Sequence, residues 1–516
     1  MEGHSGEAHL TEELSGSSKP QSPWLSDTAI PAYIALATVI VHWITGHHYG
    51  FHRDELATLD DARHLDWGYV AYPPITPLFG RLSLILFGTS LAGFRLFAAI
   101  AQAIAVVLTG LMAREMGGRR VAQWIAAAAA IPFCLAGGAM MQYVAFDCLF
   151  WVLAAYSVVK LLKTGDSRWW LAIGAAIGLG MQAKYTMGFF ALGIAGAVVL
   201  TDARRYLKSK WLWYGVALSI LIFLPNLIWQ ARNHFISVQF LQTIHARDVR
   251  IGRAKGFLPD QLKIMLLGIV FFLAGLYYTL FSRDGKRFRM LGWMYLIPLV
   301  LFVLAKGRSY YLAAAYPMLY SAGSVWIEQK LTELSAIGRN LVQALLWTAL
   351  VIDAVLIGSV TLPIAAPNSA WAQRAMKVNG DFREEIGWPE LVQTVVKIRD
   401  SLPAEDRAHL GVIAGNYGEA GAINLYGPQY GLPSVISGVN SFWQRGYGNP
   451  PPQSVIVMGT DFDELQQLFV SCTLAAHTWN QYGIENEETQ WSPNIYVCHT
   501  LRWPWPEVWK SARHFG

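Results

Sequence analysis

Charge is scarce in this sequence. Asp, Glu, Lys and Arg make up 15% of its 516 residues, well short of the share a soluble chain carries. The deficit argues against a large water-soluble core, and a net charge of only +5 argues against a nucleic-acid partner. Cysteine is scarcer: the chain has 4, at Cys134, Cys148, Cys472 and Cys498, with no Cys/His spacing of the zinc type. No internal repeat is visible, which excludes a repeat array. The first residues lack the basic stretch that opens a signal peptide. Residues 1–27, polar and Ser/Gly-containing, therefore read as a disordered cytoplasmic tail, and the first helix itself directs insertion.

What is abundant is apolar: 54% of the chain is hydrophobic, the mark of a polytopic membrane protein. The 21 Trp and 22 Tyr fit interfacial anchoring and sugar stacking equally well. Apolar runs recur at 29–46, 93–113, 121–139, 147–162, 169–184, 186–201, 213–230, 264–281, 291–305, 309–327 and 341–362, predicting about eleven transmembrane helices. Basic residues fill alternate loops: Arg114, Arg119 and Arg120; Lys160, Lys163 and Arg168; Arg204, Arg205, Lys208 and Lys210; Arg283, Lys286, Arg287 and Arg289; Lys330 and Arg339. The positive-inside rule makes these loops cytoplasmic. The stretch 50–74, the loops 140–146 and 231–263, the turns at Lys184 and Lys306 and everything after 363 then face outward.

The last 150 or so residues change character. HLGVIAG and QSVIVMG read as short buried strands, FDELQQLF as a short helix, with Gly/Pro/Asn turns between them. The expected organisation is a tail over 1–27, a membrane catalytic domain over 28–362 and an extracytoplasmic α/β domain over 363–516. Cys472 and Cys498 lie in that last domain, in an oxidising compartment, where a bridge and two free thiols both fit.

The unusual polar residues gather on the outer face. In GFHRDELATLDDARHLDWGYVAYPP (50–74), Leu56, Leu59, Ala62 and Leu65 have helical spacing, predicting an amphipathic helix along the membrane surface. Pro73 and Pro74 end it. Asp54 and Glu55 are adjacent and point about 100° apart on a helix, so one can face a cavity while His52 or Arg53 holds the other. Taken alone, these acids also fit a solvated helix face. Asp147, in MMQYVAFDCLFW, is read as opening a helix, where either the helix dipole or a functional role accounts for a carboxylate. Lys184, Lys306 and Arg308 sit singly between apolar runs. Snorkelling explains any one of them, but three on one face suit a lipid phosphate. The long outer loop, read as partly mobile, adds His234, His245, Arg247, Arg250, Arg253 and Lys255.

HRDELATLDDARHLDWGYVAYPP, FGTSLAGFRL (87–96), AKYTMG, KGRSYYLAAAYP and NYGEAGAINLYGPQYGLP, in this order, resemble the GT-C class of membrane glycosyltransferases. Within it they resemble the bacterial protein-O-mannosyltransferase-like branch, family 39, distantly similar to the lipid A aminoarabinose transferases. The resemblance implies a GT-C bundle with horizontal outer-loop helices, in the bacterial cytoplasmic membrane, with its active site toward the periplasm or exterior. It implies a polyprenyl-phosphate-linked sugar as donor and a lipid, glycan or protein as acceptor. By the same resemblance Asp54 is the catalytic carboxylate with Glu55 beside it, and Asp147 is a second acid. Arg308 contacts the donor phosphate, with Lys184, Lys306 and Tyr310 or Tyr311 near it. Apart from the resemblance, His52, Arg53, Tyr72, His245 and Arg247 are candidates for a donor or acceptor loop.

One departure matters. Relatives that use aminoarabinose carry Glu and Lys before the Pro-Pro pair, serving metal and phosphate, where this chain has Ala71 and Tyr72. A divalent metal stays open as a cofactor, but no ligand motif supports one. Asn416, Tyr417, Glu419 and the tail RWPWPEVW are candidates for selecting the acceptor, with structural packing as the other reading. A transporter or flippase of a lipid-linked sugar is the alternative; it calls for polar residues continuing through the bilayer midplane, whereas here the runs are nearly free of charge in their middles.

Overall fold

The computed structural model describes residues 29–253 and 255–516; the tail expected over 1–27 lies outside them. The first half is helical: α1 (Ala29–Thr45), α2 (Arg53–Arg63), α3 (Ile75–Phe87), α4 (Leu91–Glu115), α5 (Arg120–Gly138), α6 (Tyr143–Thr164), α7 (Trp169–Ala183), α8 (Met187–Leu200) and α9 (Lys210–Arg232). Then follow α10 (Ile236–Arg250), α11 (Phe257–Met265), α12 (Ile269–Leu280), α13 (Arg289–Leu304), α14 (Tyr316–Thr332) and α15 (Ala336–Thr361). The apolar runs read from the sequence fall on these helices, except that 264–281 covers the end of α11, a break and α12, and 309–327 begins on the 3-10 helix Ser309–Ala315 before α14. Among the described residues, 7 helical stretches are long and apolar enough to cross a membrane: α4, α5, α6, α9, α11 joined with α12, Lys286–Leu304 ending in α13, and α15; they become 8 if the pair bent by 101° after α8 counts as one. The others are shorter; α7, at 15 residues, spans only about 22 Å at 1.5 Å per residue.

Two segments differ from expectation. α3 was not read as a helix because its 13 residues are too short to stand out as a span. The stretch 231–263 holds α10 and α11 rather than an open loop. A third feature concerns α15, whose Asp353 is 2% exposed. Its carboxylate lies against the backbone of Leu267 and Gly268, at the break between α11 and α12.

The basic loops meet at one end of the bundle. Lys160 and Lys163 reach Glu115 at 3.2 and 2.9 Å, and Arg287 donates to the carbonyl of Leu162 at 2.7 Å. The Glu328 carboxylate accepts from the Arg119 and Ala122 amides at the start of α5, where it also complements the helix dipole.

At the opposite end sits the C-terminal region. It contains α16 (Ala370–Val378), α17 (Trp388–Ser401), α18 (Ala404–Ala408) and α19 (Tyr417–Tyr426). Its strands are β1 (Leu410–Ala414), β2 (Val435–Ile436), β3 (Ser454–Met458), β4 (Phe469–His477) and β5 (Asn494–Leu501), in the order β2-β1-β3-β5-β4. β1 runs parallel to β2 and β3; β5 is antiparallel to β3 and β4. Cys472 and Cys498 face each other across β4 and β5 and are joined by a disulfide.

This region shares a core with the first outer loop. Leu56 and Leu59 of α2 cluster with Trp388, Leu391, Val412, Ile423 and Ile456. α2 therefore packs its apolar stripe against α19 instead of laying it on a membrane surface, and only Leu65, beyond the helix end, is left exposed, at 47%. The close approach requires Gly421, whose absent Cβ would lie 2.7 Å from the Leu56 backbone. The reading of the acids as a solvated face fails for the same reason: Glu55, Asp60 and Asp61 are 0%, 1% and 4% exposed.

A buried ion triad pins the junction. Arg95, in the FGTSLAGFRL motif, holds Glu55 at 2.7 Å and Glu385 of the C-terminal region at 3.1 Å. Burial pushes Glu385 up to about 7 while Arg95 pulls it back toward the ionised form. Arg95→Gln strands two carboxylates out of water, so it should lower stability by about 3–5 kcal/mol. A thermal melt of the purified protein in detergent measures this; an unchanged melting temperature would remove the triad from the junction.

Candidate active site

The first turn of α2 is fixed by a capping box: the Asp54 amide donates to His52 Nδ1 and the Glu55 carboxylate accepts from the His52 amide. From that fixed start, Asp54, Ala57, Thr58 and Asp61 recur at i, i+3, i+4 and i+7 and form one face. That face lines a cavity of about 570 Å³. The apolar stripe of α2 is turned away from it, onto α19.

The Asp54 carboxylate is half-buried and held from two sides. Its Oδ1 accepts from the Tyr417 hydroxyl at 2.9 Å, and its Oδ2 from Gln142 Nε2 at 2.6 Å. Asp61 Oδ2 accepts from the Tyr72 hydroxyl at 2.7 Å, and Oδ1 from Arg445 at 2.7 Å. Burial pushes Asp61 up to about 6, with Arg445 opposing and Asp60 reinforcing the rise.

The cavity also receives Lys184 from the turn between α7 and α8, and Lys306 and Arg308 from the segment after α13. Lys184 is caged by aromatic faces: its Nζ lies 4.0 Å from the Tyr311 ring centre, 5.0 Å from Tyr143 and 5.4 Å from Tyr310. Such a cage stabilises a desolvated ammonium. Arg308 Nε donates to Asp248 Oδ2 at 2.6 Å, and its NH1 reaches the Tyr310 hydroxyl at 3.5 Å. Asp248 is 6% exposed and also meets Arg247 and Arg253, at 3.8 and 3.5 Å. Through α10 the cavity gains His245 and Arg247, together with Phe240, Leu241 and Ile244.

Of the residues singled out in the sequence, Asp54, Tyr72, Lys184, His245, Arg247, Lys306, Arg308 and Tyr311 line this one cavity. Glu55 does not; it is wholly buried on Arg95 and the Met141 amide. Asp147 does not line it either. It is the fifth residue of α6 rather than its opening residue, too far in to cap the helix, and it accepts from Trp151 Nε1 at 2.9 Å and from Thr186 at 2.8 Å. Tyr310 sits behind Arg308. His52 caps α2, and Arg53 turns to Glu487 and Glu384 of the C-terminal region.

Sequence reasoning missed five contributors. Tyr417, read as an acceptor-selecting or packing residue, hydrogen-bonds to Asp54. Gln142 and Asp248 gave no local signal, since each acquires its place only through long-range contact. Thr58 and Asp61 were legible, at four and seven residues from Asp54, had the polar face of α2 been traced as well as its apolar one. Glu419 and Asn416 form the capping box of α19, and Trp505 of the tail stacks on Tyr447, as packing residues do. Ala71 and Tyr72 supply no metal ligands of the Glu/Lys kind. Among the described residues no group of three or more His, Cys, Asp or Glu is arranged to hold a metal ion.

A family model for dolichyl-phosphate-mannose-protein mannosyltransferases matches residues 71–229. That stretch includes Gln142, Asp147 and Lys184, but neither Asp54 nor Arg308. No curated protein sequence matches the chain. Among solved structures the chain is similar to ArnT from Cupriavidus metallidurans bound to undecaprenyl phosphate: 15% identity, TM-score 0.57, covering 92% of this chain and 98% of that one. The apo state of that protein is similar at 15% identity and TM-score 0.56, over 90% and 97% of the two chains. The Archaeoglobus fulgidus oligosaccharyltransferase in complex with Zn and sulfate is similar at 14% identity and TM-score 0.52, over 84% of this chain and 68% of that one. These likenesses show the fold: a multi-pass GT-C-type helical bundle with a C-terminal domain.

Proposed function

We propose that this protein is an inverting glycosyltransferase that moves a sugar from a polyprenyl-phosphate donor to an acceptor at the outer face of the bacterial cytoplasmic membrane. One observation carries the reading: a single cavity joins the Asp54 carboxylate to three cations, Lys184, Lys306 and Arg308, that lie far from it in sequence. The basic loops gathered at the other end of the bundle support the outward orientation, and the undecaprenyl phosphate bound to the similar ArnT supports the lipid carrier.

The chemistry follows from the charges. Asp54 accepts the proton of an acceptor hydroxyl, whose oxygen attacks the anomeric carbon from the face opposite the phosphate. The bond from that carbon to the phosphate oxygen breaks, and its electron pair leaves with the polyprenyl phosphate. Lys184, Lys306 and Arg308 meet the growing negative charge, Arg308 with the flat guanidinium that suits two phosphate oxygens. Tyr417 and Gln142 hold the base in place. Phe189, Phe240, Leu241, Ile244 and Phe302 give the cavity an apolar side fit for the first isoprene units.

Purified protein incubated with undecaprenyl-phosphate sugars and an acceptor extract should release undecaprenyl phosphate. Movement of the intact donor across a vesicle bilayer without release would replace this reading with that of a flippase.

A further inference from the structure

The mechanism uses Asp54 and the cations but leaves Asp61 idle. Asp61 is 4% exposed, yet it lines the cavity with Thr58, Tyr72 and Ser441. An ionised carboxylate offers about four lone-pair sites, and Tyr72 and Arg445 fill two of Asp61's. The remainder, poorly hydrated, call for donors that the cavity's occupant must bring.

Asp61 is also held more tightly than packing demands. Arg445 bridges it to Asp60, at 2.7 and 2.8 Å, and Asn424 donates to the other oxygen of Asp60 at 2.7 Å. Arg445, Asn424 and Ser441 all come from the C-terminal region, which thus sets the position of a carboxylate on α2. Seven residues separate Asp54 from Asp61, a rise of about 10 Å. Two hydrogen bonds of ~2.8 Å leave roughly 5 Å between them, the breadth of one pyranose ring.

We propose that Asp61, fixed by Arg445 and Tyr72, reads the donor sugar by accepting a hydrogen bond from a ring hydroxyl remote from the anomeric carbon, so that the donor carries one pyranose with that hydroxyl free and no carboxylate in its place. This rests on the transferase reading above. A sugar carboxylate in that place would meet the like charge of Asp61, which lines the cavity. A hydroxyl meets no such repulsion.

The test compares binding of undecaprenyl phosphate with that of undecaprenyl-phosphate glucose, mannose and galactose to the full chain in nanodiscs. In the wild type at least one sugar-bearing lipid binds about tenfold more tightly than the bare phosphate, the scale of one hydrogen bond to a charged group. Asp61→Asn abolishes that excess and leaves undecaprenyl phosphate binding unchanged. Tyr72→Phe, which removes only a hydroxyl and spares the Arg445 pair, reduces the excess in the same sense. A deoxy-sugar donor lacking the hydroxyl that Asp61 reads binds the wild type and Asp61→Asn equally. An excess that persists in Asp61→Asn, or a loss shared equally by the bare phosphate, overturns the assignment and leaves the transferase reading standing. Failure of the wild type to bind either kind of lipid overturns both.

Discussion

Asp54→Asn should leave a folded protein that no longer transfers sugar. The substitution preserves shape and removes only the ability to take a proton. The amide oxygen still accepts from Tyr417, and Gln142 satisfies the new NH2 by turning its own amide over, so the loop keeps its hydrogen bonds. Losing a positioned base costs a factor of roughly 10²–10⁴ in rate. Release of undecaprenyl phosphate reports the loss, and an unchanged thermal melt shows that the fold survives. Tyr417→Phe is the graded companion: it removes one of two donors to Asp54, so turnover falls about tenfold with donor affinity intact. Near-normal turnover in Asp54→Asn would take the base role away from this residue.

How much of this was legible beforehand differs by element. The membrane helices announced themselves, because long apolar runs have few other fates in a chain this poor in charge. β1, β3 and the helix Phe462–Leu468 fell where short apolar runs between turns placed them. The cations were legible because an isolated Lys or Arg beside hydrocarbon is an anomaly that demands a partner. What stayed hidden were the partners themselves. Arg95 looked like one residue of a loose motif, yet it is what buries Glu55; Asp248 looked like one acid among many basic neighbours, yet it orients Arg308. Asp147 misled for a related reason: the sequence marks an acid near a helix start, but only the packing of α6 shows that it lies a turn inside. Tyr417 is separated from Asp54 by 363 residues, and no local pattern connects positions so distant.

The second large effect is expected at Arg308. Arg308→Glu replaces an ion pair at 2.6 Å by two carboxylates, one of them Asp248 at 6% exposure, and it turns the cavity's positive wall toward neutrality. A phosphate dianion entering there loses its bidentate partner and meets an added negative charge. Undecaprenyl phosphate should therefore bind about 100-fold more weakly or worse, a loss of ~3 kcal/mol that is usual when a hydrogen-bonded charge pair is broken. Arg308→Lys separates charge from shape: it keeps the cation, loses the fork and should weaken binding by about tenfold. Asp248→Asn tests the same pair from the other side. It removes the anion that competes with phosphate for Arg308, so it should leave affinity equal to or tighter than that of the wild type. If Arg308→Glu binds undecaprenyl phosphate as the wild type does, with its thermal melt unchanged, the guanidinium has no part in holding the leaving group. Lys184, in its cage of tyrosines, and Lys306 would then carry that charge alone.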